Sequence, residues 1–174
     1  MNRVANSCIL TIVMLCGGPV WSAPAMVDAR SAMEKRVQVL EDRAEIEHLL
    51  MEYGRALDSR DFALYSSMFA ADGEWVGSIG SFKGPSQIKA AMEKAFAVPP
   101  GGTAPKFIHL LTNAIIDVDG DRATAVSKWT FIRITDNKPN IANIGRYDDT
   151  LIRENGRWKF LRRVAPSALT AVAK

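Results

Sequence analysis

Apolar residues recur at steps of three and four from Ile46 to Leu57, which places them on one face of a helix. Asp42, with Glu45 three residues later, resembles a capping box and predicts that the helix begins there. The preceding residues, 26–39, are polar with scattered apolar positions and predict a frayed lead-in. A first amphipathic helix is therefore expected over the residues that follow Asp42.

Two shorter helices are predicted next. Ser59 or Asp61 can cap the first of them, over 62–69, because either side chain can accept a hydrogen bond from a backbone N–H at a helix start. Gly84-Pro85-Ser86 predicts the start of the second. The other segments here are a turn at Asp72-Gly73, a strand or strand pair over 75–82 and a Pro/Gly-rich irregular loop over 98–105.

The last third of the chain alternates between apolar and polar residues, as strands do. Hairpin turns are predicted at Asp119-Gly120 and Asn155-Gly156, and another turn at 136–139. Within the strand over 122–135, alternate residues that include Trp129 share one face. Three helices followed by an antiparallel meander predict an α+β fold, in which the helices pack on one face of a curved antiparallel sheet.

The N-terminus has the order of a secretory signal peptide, with Arg3, an apolar run over 8–20 and then small residues. Cleavage is predicted after Ala25. The apolar run is shorter than the roughly 20 residues that a transmembrane helix needs, so a periplasmic or secreted protein without a membrane anchor is expected. The alternative is a disordered or helical extension. The expected organisation is a signal peptide over 1–25, a lead-in over 26–39, one domain over 40–165 and a tail over 166–174.

Cleavage would also remove both cysteines, Cys8 and Cys16, which excludes disulfides, thiolate zinc sites and cysteine nucleophiles from the mature chain. The 174 residues have a net charge of +3, and cleavage, which removes one arginine and no acidic residue, lowers it to +2. The densest basic stretch, 157–163, alternates with apolar residues and predicts a strand. Nucleic acid is therefore not an expected partner.

The chain contains two histidines and lacks the HExxH, P-loop, Rossmann and GxSxG motifs, so neither a metal nor a cofactor is expected. Acid–base chemistry or simple binding remains. His48 is predicted to lie on the surface, whereas His109 stands among apolar residues, where its ring needs a polar partner. Asp58 is a candidate partner, because a carboxylate at a helix C-terminus is otherwise unfavourable. Alternation sends either Arg162 or Arg163 inward, where a guanidinium needs an anion.

Four segments resemble the SnoaL-like branch of the nuclear transport factor 2-like superfamily: EIEHLLMEYGRALDSRD, FKGP, FIHLLTN and GRYDDTLIRENGRWKFLRR. The resemblance covers residues 37–164. It implies a cone-shaped α+β fold, in which a strongly curved antiparallel sheet wraps around a long helix and encloses one pocket. The most similar enzyme patterns are those of gamma-hexachlorocyclohexane dehydrochlorinase, bile-acid 7α-dehydratase and scytalone dehydratase.

The resemblance implies cofactor-free β-elimination with four catalytic residues, Tyr53, Asp58, His109 and Arg163. His109 would remove a proton, and Asp58 would orient its ring and stabilise the imidazolium. Arg163 and Tyr53 would stabilise or protonate the leaving group, or stabilise the oxyanion that develops. The expected substrate-binding residues are Trp75 and Tyr147, by resemblance, and Phe96, Trp129, Phe131 and Ile144, by alternation.

The expected protein is thus a lyase, of the dehydratase or dehydrohalogenase type, for a small and mostly apolar molecule, with a cyclic one compatible. Two alternatives remain open, since a fold does not fix a function. One is a non-catalytic module that binds a hydrophobic ligand in the same pocket. The other is an isomerase or epoxide hydrolase on the same scaffold. The resemblance also implies a homodimer or homotrimer.

Overall fold

The computed structural model describes residues 23–168, with side chains from residue 28 onward. The apolar run of the predicted signal peptide, its two cysteines and residues 169–174 lie outside the described residues. The chain divides into two units, Met1–Lys35 and Arg36–Lys174. In the first unit, the described residues are helical, and Arg30 donates to Glu34 at 3.0 Å. Within residues 23–168, no helix is long and apolar enough to cross a membrane.

Helix α1, Ala23–Ser59, begins well before Asp42, so the predicted helix start is wrong. The predicted lead-in contains no proline or glycine, and its many charged and unbranched side chains favour a helix even without an apolar stripe. Asp42 lies buried within α1, where its carboxylate accepts hydrogen bonds from Gln38 at 3.1 Å and Trp158 at 3.3 Å. It also pairs with Arg153. The residue that resembles a cap is instead an anchor between the helix and the sheet.

The second half of α1 packs against the sheet through the predicted apolar stripe. Ile46, Leu50 and Tyr53 are buried. The ring centroid of Tyr53 lies 5.5 Å from that of Tyr147 and 5.7 Å from that of Phe160. The amphipathic pattern is therefore confirmed, and helix and strands share one hydrophobic core.

Helix α2, Phe62–Ser67, confirms the second predicted helix, and Asp61 caps it by accepting a hydrogen bond from the Leu64 N–H at 2.9 Å. The predicted turn at Asp72-Gly73 is wrong, because both residues lie within strand β1, Phe69–Gly77. The register of β1 shifts between its first residue and Glu74, so the two residues belong to a bulge. A local turn signal thus marks an irregularity inside a strand.

Strand β2, Gly80–Lys83, pairs with β1, which gives the predicted strand pair. Helix α3, Pro85–Ala95, follows with Ile88 and Met92 buried, as predicted. The segment over 98–105 has no regular structure, again as predicted.

The remaining strands are β3, Lys106–Asp119; β4, Arg122–Thr135; β5, Lys138–Glu154; and β6, Arg157–Ala165. One six-stranded sheet forms in the order β2-β1-β6-β5-β4-β3, with β2 and β3 at its edges. All neighbouring strands are antiparallel except β1 and β6, which are parallel. The expectation of a fully antiparallel sheet is wrong at this pair, because the meander from β3 to β6 returns beside β1 in the same direction.

The α+β fold class is confirmed, with helices packed on a curved, unclosed sheet. Register shifts between β3 and β4, between β4 and β5, and between β5 and β6 allow the strands to bend. Alternate residues of β4 are buried from Ala123 to Trp129, as predicted. Inward-facing side chains of five strands, together with α1, line the cavity that contains the candidate site.

Candidate active site

Asp58 and His109 lie in direct contact. The Oδ1 atom of Asp58 lies 2.5 Å from the Nδ1 atom of His109. The Oδ2 atom accepts a second hydrogen bond, from the backbone N–H of His109, at 2.9 Å. The side chains of His109 and Asp58 are 6% and 24% exposed, respectively. Both carboxylate oxygens are thus engaged by one residue, which fixes the plane and position of the imidazole ring.

The position of β3 in the sheet explains how Asp58 reaches the backbone of His109. Within residues 23–168, β3 is an edge strand that pairs only with β4, so its outward N–H groups have no strand partner there. Asp58, at the end of α1, satisfies one of them. Gly54 lies one helical turn earlier, where an added Cβ would stand 3.1 Å from Leu111 Cδ1 and 3.6 Å from the His109 backbone oxygen. The missing side chain at Gly54 therefore lets α1 approach β3 closely.

The His109 ring forms part of the wall of a cavity of about 370 Å³. It stacks on Phe131, with ring centroids 4.6 Å apart and an angle of 24° between the planes. Asp58 engages Nδ1, and within residues 23–168 no group forms a hydrogen bond with Nε2. Nε2 is therefore the nitrogen that remains for a molecule in the cavity.

Five of the predicted substrate-binding residues line this cavity: Trp75, Phe96, Trp129, Phe131 and Tyr147. Ile144 does not, and that prediction is wrong. Ile144 is 37% exposed on the opposite face of β5, because residues three apart on a strand, such as Ile144 and Tyr147, point to opposite faces. Asn143, which pairs with Phe131 across the sheet, lines the cavity in its place.

Three hydrogen-bonding side chains meet at a second point of the cavity wall. The Tyr53 and Tyr65 hydroxyl oxygens lie 2.5 Å apart, and Trp75 Nε1 donates to the Tyr53 hydroxyl at 3.0 Å. Tyr65, in α2, is a site residue that the sequence did not indicate. Burial raises the pKa of Tyr65 well above its usual value, and burial has the same effect on the pKa of Tyr147. Both hydroxyls therefore keep their protons at neutral pH and can donate hydrogen bonds.

Arg163 lies behind these aromatic rings and does not line the cavity. Its Nε and Nη2 atoms donate to the two carboxylate oxygens of Asp149 at 2.8 and 2.7 Å, and both side chains are fully buried. Its guanidinium carbon lies 3.9 Å from the ring centroid of Tyr53, 4.0 Å from that of Tyr147 and 4.1 Å from that of Phe160. Of the neighbours Arg162 and Arg163, Arg163 is therefore the one that points inward, as alternation requires of one of them. The anion that it needs is the Asp149 carboxylate.

The ion pair keeps Arg163 charged. Burial acts to lower the pKa of Arg163, but the charge and hydrogen bonds of Asp149 outweigh it and raise the pKa above its usual range. Nη1 is the one guanidinium nitrogen that is buried without a hydrogen-bond partner among the described residues. The cation therefore acts on the cavity through the faces of Tyr53 and Tyr147, which favours a role in positioning these rings.

His48 is exposed on α1, as predicted. In the part of the chain that the structure describes, no three His, Cys, Asp or Glu side chains are grouped so that they could hold a metal ion. The chemistry that the described residues offer is thus one imidazole–carboxylate pair facing a cavity with tyrosine hydroxyls and aromatic walls.

A curved sheet and a helix around one such cavity define the nuclear transport factor 2-like class of α+β proteins. The family model of the SnoaL-like domain matches residues 38–164, and the chain belongs to this family. The resemblance noted in the sequence is therefore confirmed at the level of the family.

Similar proteins support the same classification. Uncharacterised proteins of Mycobacterium tuberculosis and Mycobacterium bovis are 29% identical to the chain over 132 residues, which cover 74% of this chain and 86% of each relative. A solved structure of an NTF2-like protein with a cystatin-like fold, from Novosphingobium aromaticivorans, is 26% identical with a TM-score of 0.71, covering 82% of this chain and 92% of its own.

A second solved structure from Novosphingobium aromaticivorans is described as a candidate scytalone dehydratase. It is 23% identical to the chain with a TM-score of 0.64, and the match covers 78% of this chain and 89% of that one. At this identity the likeness is one of fold, so the chemistry of the site rests on the residues present here.

Proposed function

We propose that the protein is a cofactor-free lyase, of the dehydratase or dehydrohalogenase type, that acts on a small and mostly apolar molecule. The observation that supports this proposal most strongly is the 2.5 Å contact between Asp58 and His109 Nδ1, which leaves Nε2 for the cavity. A neutral imidazole with its Nδ1–H donated to a carboxylate presents a basic nitrogen on its other side. That nitrogen is suited to remove a proton from carbon.

The proposed reaction is a β-elimination. His109 Nε2 takes a proton from a substrate carbon, the electron pair of that C–H bond forms a double bond with the neighbouring carbon, and the bond to the leaving group breaks. Asp58 stabilises the imidazolium that forms, without taking its proton. A departing hydroxide takes a proton from the Tyr53 or Tyr65 hydroxyl and leaves as water, and the proton held by His109 then returns, by way of solvent, to that tyrosinate. A departing halide leaves as the anion, and the proton held by His109 is released to solvent.

Tyr53 and Tyr65 are the proposed donors to the leaving group. Their hydroxyls share a hydrogen bond at 2.5 Å in the cavity wall, and Trp75 orients Tyr53 from the side. Arg163 is proposed as a positioning residue, because it contacts the rings of Tyr53 and Tyr147 and not the cavity. The aromatic walls would exclude water, which strengthens each of these electrostatic interactions.

The N-terminal pattern of Arg3, an apolar run and small residues supports the further proposal that the protein works after secretion or in a periplasm. Comparing the N-terminus of the mature protein from an expressing cell with residues beyond Ala25 tests it. A mature protein that still begins at Met1 would contradict it.

Screening hydroxylated and halogenated cyclic compounds, with mass spectrometry to detect loss of water or of hydrogen halide, tests the lyase proposal. His109→Ala is expected to lower turnover by about 10²–10⁴-fold, the usual contribution of a general base. His48→Ala is the matched control, since it removes the exposed histidine of α1 and is expected to leave turnover unchanged. Turnover that survives His109→Ala would contradict the mechanism. Binding that survives it, with no product from any compound, would favour the ligand-binding module.

A further inference from the structure

The charged side chains that line the cavity are all basic, apart from the titratable His109. They are Arg60, at the end of the turn after α1, and Arg133, near the end of β4; among the described residues, no aspartate or glutamate lines the cavity. Within residues 23–168, neither arginine forms an ion pair with a carboxylate of the protein. Arg163 contrasts with them, since its charge is neutralised by Asp149. In the part of the chain that the structure describes, the cavity therefore contains two arginines that no carboxylate pairs with.

Both arginines lie near the ring of Phe107. The guanidinium carbon of Arg60 lies 5.3 Å from the ring centroid of Phe107, and that of Arg133 lies 5.9 Å from it. Arg133 is the direct cross-strand partner of Phe107 in the pairing of β4 with β3. The two cations thus converge on one end of the cavity from two different elements.

Hydrogen bonds fix the position of the Arg60 side chain. Arg60 directly follows α1 with a φ angle of 61°, the left-handed conformation that commonly ends a helix, and its N–H donates to the Leu57 carbonyl at 3.2 Å. Its side chain donates to the Phe96 carbonyl and, at 3.5 Å, to the Pro105 carbonyl, at the two ends of the irregular loop. A guanidinium has five N–H donors, so these contacts hold the group in place and leave donors for a ligand.

The distance from the arginines to His109 suits a small ligand. Phe107 pairs with Arg133 and His109 pairs with Phe131, so the two pairs are adjacent inward pairs of the same two strands. Two residues along a strand correspond to about 7 Å. A ring-sized apolar body lying over Phe131 can therefore present one carbon to His109 and a charged substituent to the arginines.

We infer that the substrate is an anion, whose carboxylate or phosphate group pairs with Arg60 and Arg133 while its apolar body lies beside His109. The inference rests on the proposed function in that it names the substrate class for the same cavity. Guanidinium groups bind these anions with paired, charge-assisted hydrogen bonds. A neutral hydrophobic molecule would leave both cations without a counter-charge.

Isothermal titration calorimetry with three matched probes tests the inference: 2-naphthoate, 2-naphthyl phosphate and the neutral 2-naphthamide. At least one anion is expected to bind about tenfold more tightly than the amide, and the tighter of the two identifies the anionic group. Arg133→Met replaces an exposed side chain and is expected to weaken anion binding about threefold or more, with amide binding unchanged. Arg60→Met is expected to weaken anion binding more than Arg133→Met does.

Arg122→Met is the matched control, because it makes the same change on an exposed arginine of β4 that does not line the cavity. It is expected to leave all three affinities unchanged. Equal binding of the amide and both anions, or a preference for anions that survives both cavity substitutions, would overturn the inference.

The two experiments distinguish failure of the anion inference from failure of the proposed lyase function. If anions bind through the arginines but no compound is turned over, the proposed function fails and the inference stands. If turnover depends on His109 but only neutral compounds are substrates, the proposed function stands and the inference fails.

Discussion

Replacing Asp149 with asparagine is expected to destabilise the protein far more than removing a partly exposed carboxylate from the same sheet. Asp149 accepts hydrogen bonds from Arg163 at 2.8 and 2.7 Å, and neither side chain has exposed surface. Asparagine has nearly the same shape as aspartate but no charge. Asp149→Asn therefore leaves the guanidinium of Arg163 buried among three aromatic rings without a counter-ion.

The size of the effect follows from the burial of the pair. Removing one partner of a buried ion pair costs about 3–5 kcal/mol, because the other charge stays desolvated and unpaired. A domain of this size has a free energy of unfolding of about 5–15 kcal/mol, so the loss is a large share of the total. At a urea m-value of about 2 kcal/mol per molar, the unfolding midpoint would fall by about 2 M.

Glu74→Gln is the matched control. Glu74 pairs with Arg162, the neighbour of Arg163, at 3.0 Å, but both side chains are partly exposed. Because solvent screens such a pair, Glu74→Gln is expected to cost less than about 1 kcal/mol. Urea unfolding followed by tryptophan fluorescence and by circular dichroism measures both variants.

Equal losses for the two variants, or a loss below about 1 kcal/mol for Asp149→Asn, would refute the reasoning. Replacing both partners with apolar residues, as in Asp149→Leu with Arg163→Met, is expected to recover part of the loss, because no charge is then left buried. A double variant as unstable as the sum of its parts would contradict a direct coupling between the two side chains.

Other predictions concern acid stability, tyrosine titration and the cavity wall. Burial acts to raise the pKa of Asp42, but hydrogen bonds from Arg153, Gln38 and Trp158 outweigh burial and lower the pKa below its ordinary value of 3.8. The Asp42 carboxylate therefore stabilises the fold above pH 3.8, and this stabilisation is lost as the pH falls through the lowered pKa. In Asp42→Asn, the free energy of unfolding measured with urea should therefore depend less on pH below about pH 4. The same pH dependence as in the wild type would contradict this prediction. Burial raises the pKa of Tyr65 and Tyr147, so Tyr65→Phe should leave the absorbance change at 295 nm near pH 10 unaltered; a smaller change there would show that Tyr65 ionises normally. A Cβ at Gly145 would collide with the Pro166 backbone oxygen and lie 2.5 Å from Trp129 Cζ2. Gly145→Ala should therefore lower the free energy of unfolding by about 1–3 kcal/mol, as measured by thermal unfolding. An unchanged stability would show that Trp129 and the Pro166 backbone can move to make room for the methyl group.

Sequence patterns predicted best the features that local contacts determine. Asp61 caps α2 through the Leu64 N–H three residues away, so both residues of the interaction stand in one short segment. Asp42 has the same local signature, yet its partners Arg153 and Trp158 lie more than 100 residues further along the chain. No pattern within a few residues of Asp42 distinguishes a cap from an anchor of this kind.

The residues of the site also divide into those that local sequence patterns predict and those that only long-range packing brings together. Alternation placed Phe131 correctly, but Ile144 could not share a face with Tyr147 on an uninterrupted strand, and the spacing between them already indicates this. Arg60 and Tyr65 escaped notice because only the packing of α2 and the irregular loop brings them to the cavity. The partner of Arg163 depends on the register between β5 and β6, where Asp149 stands directly opposite.

The central claim is that Asp58 holds His109 as a base with its free nitrogen toward the cavity. Long-range ¹H–¹⁵N correlation spectra of the imidazole rings, recorded over a pH series, test it most directly. The chain has only two histidines, so His48→Ala assigns the signals. In its neutral form, the His109 ring is predicted to bear its proton on Nδ1 with Nε2 unprotonated, and Asp58→Asn should remove this preference. A neutral His109 ring protonated on Nε2 with Asp58 intact would contradict the account, because no basic nitrogen would then face the cavity.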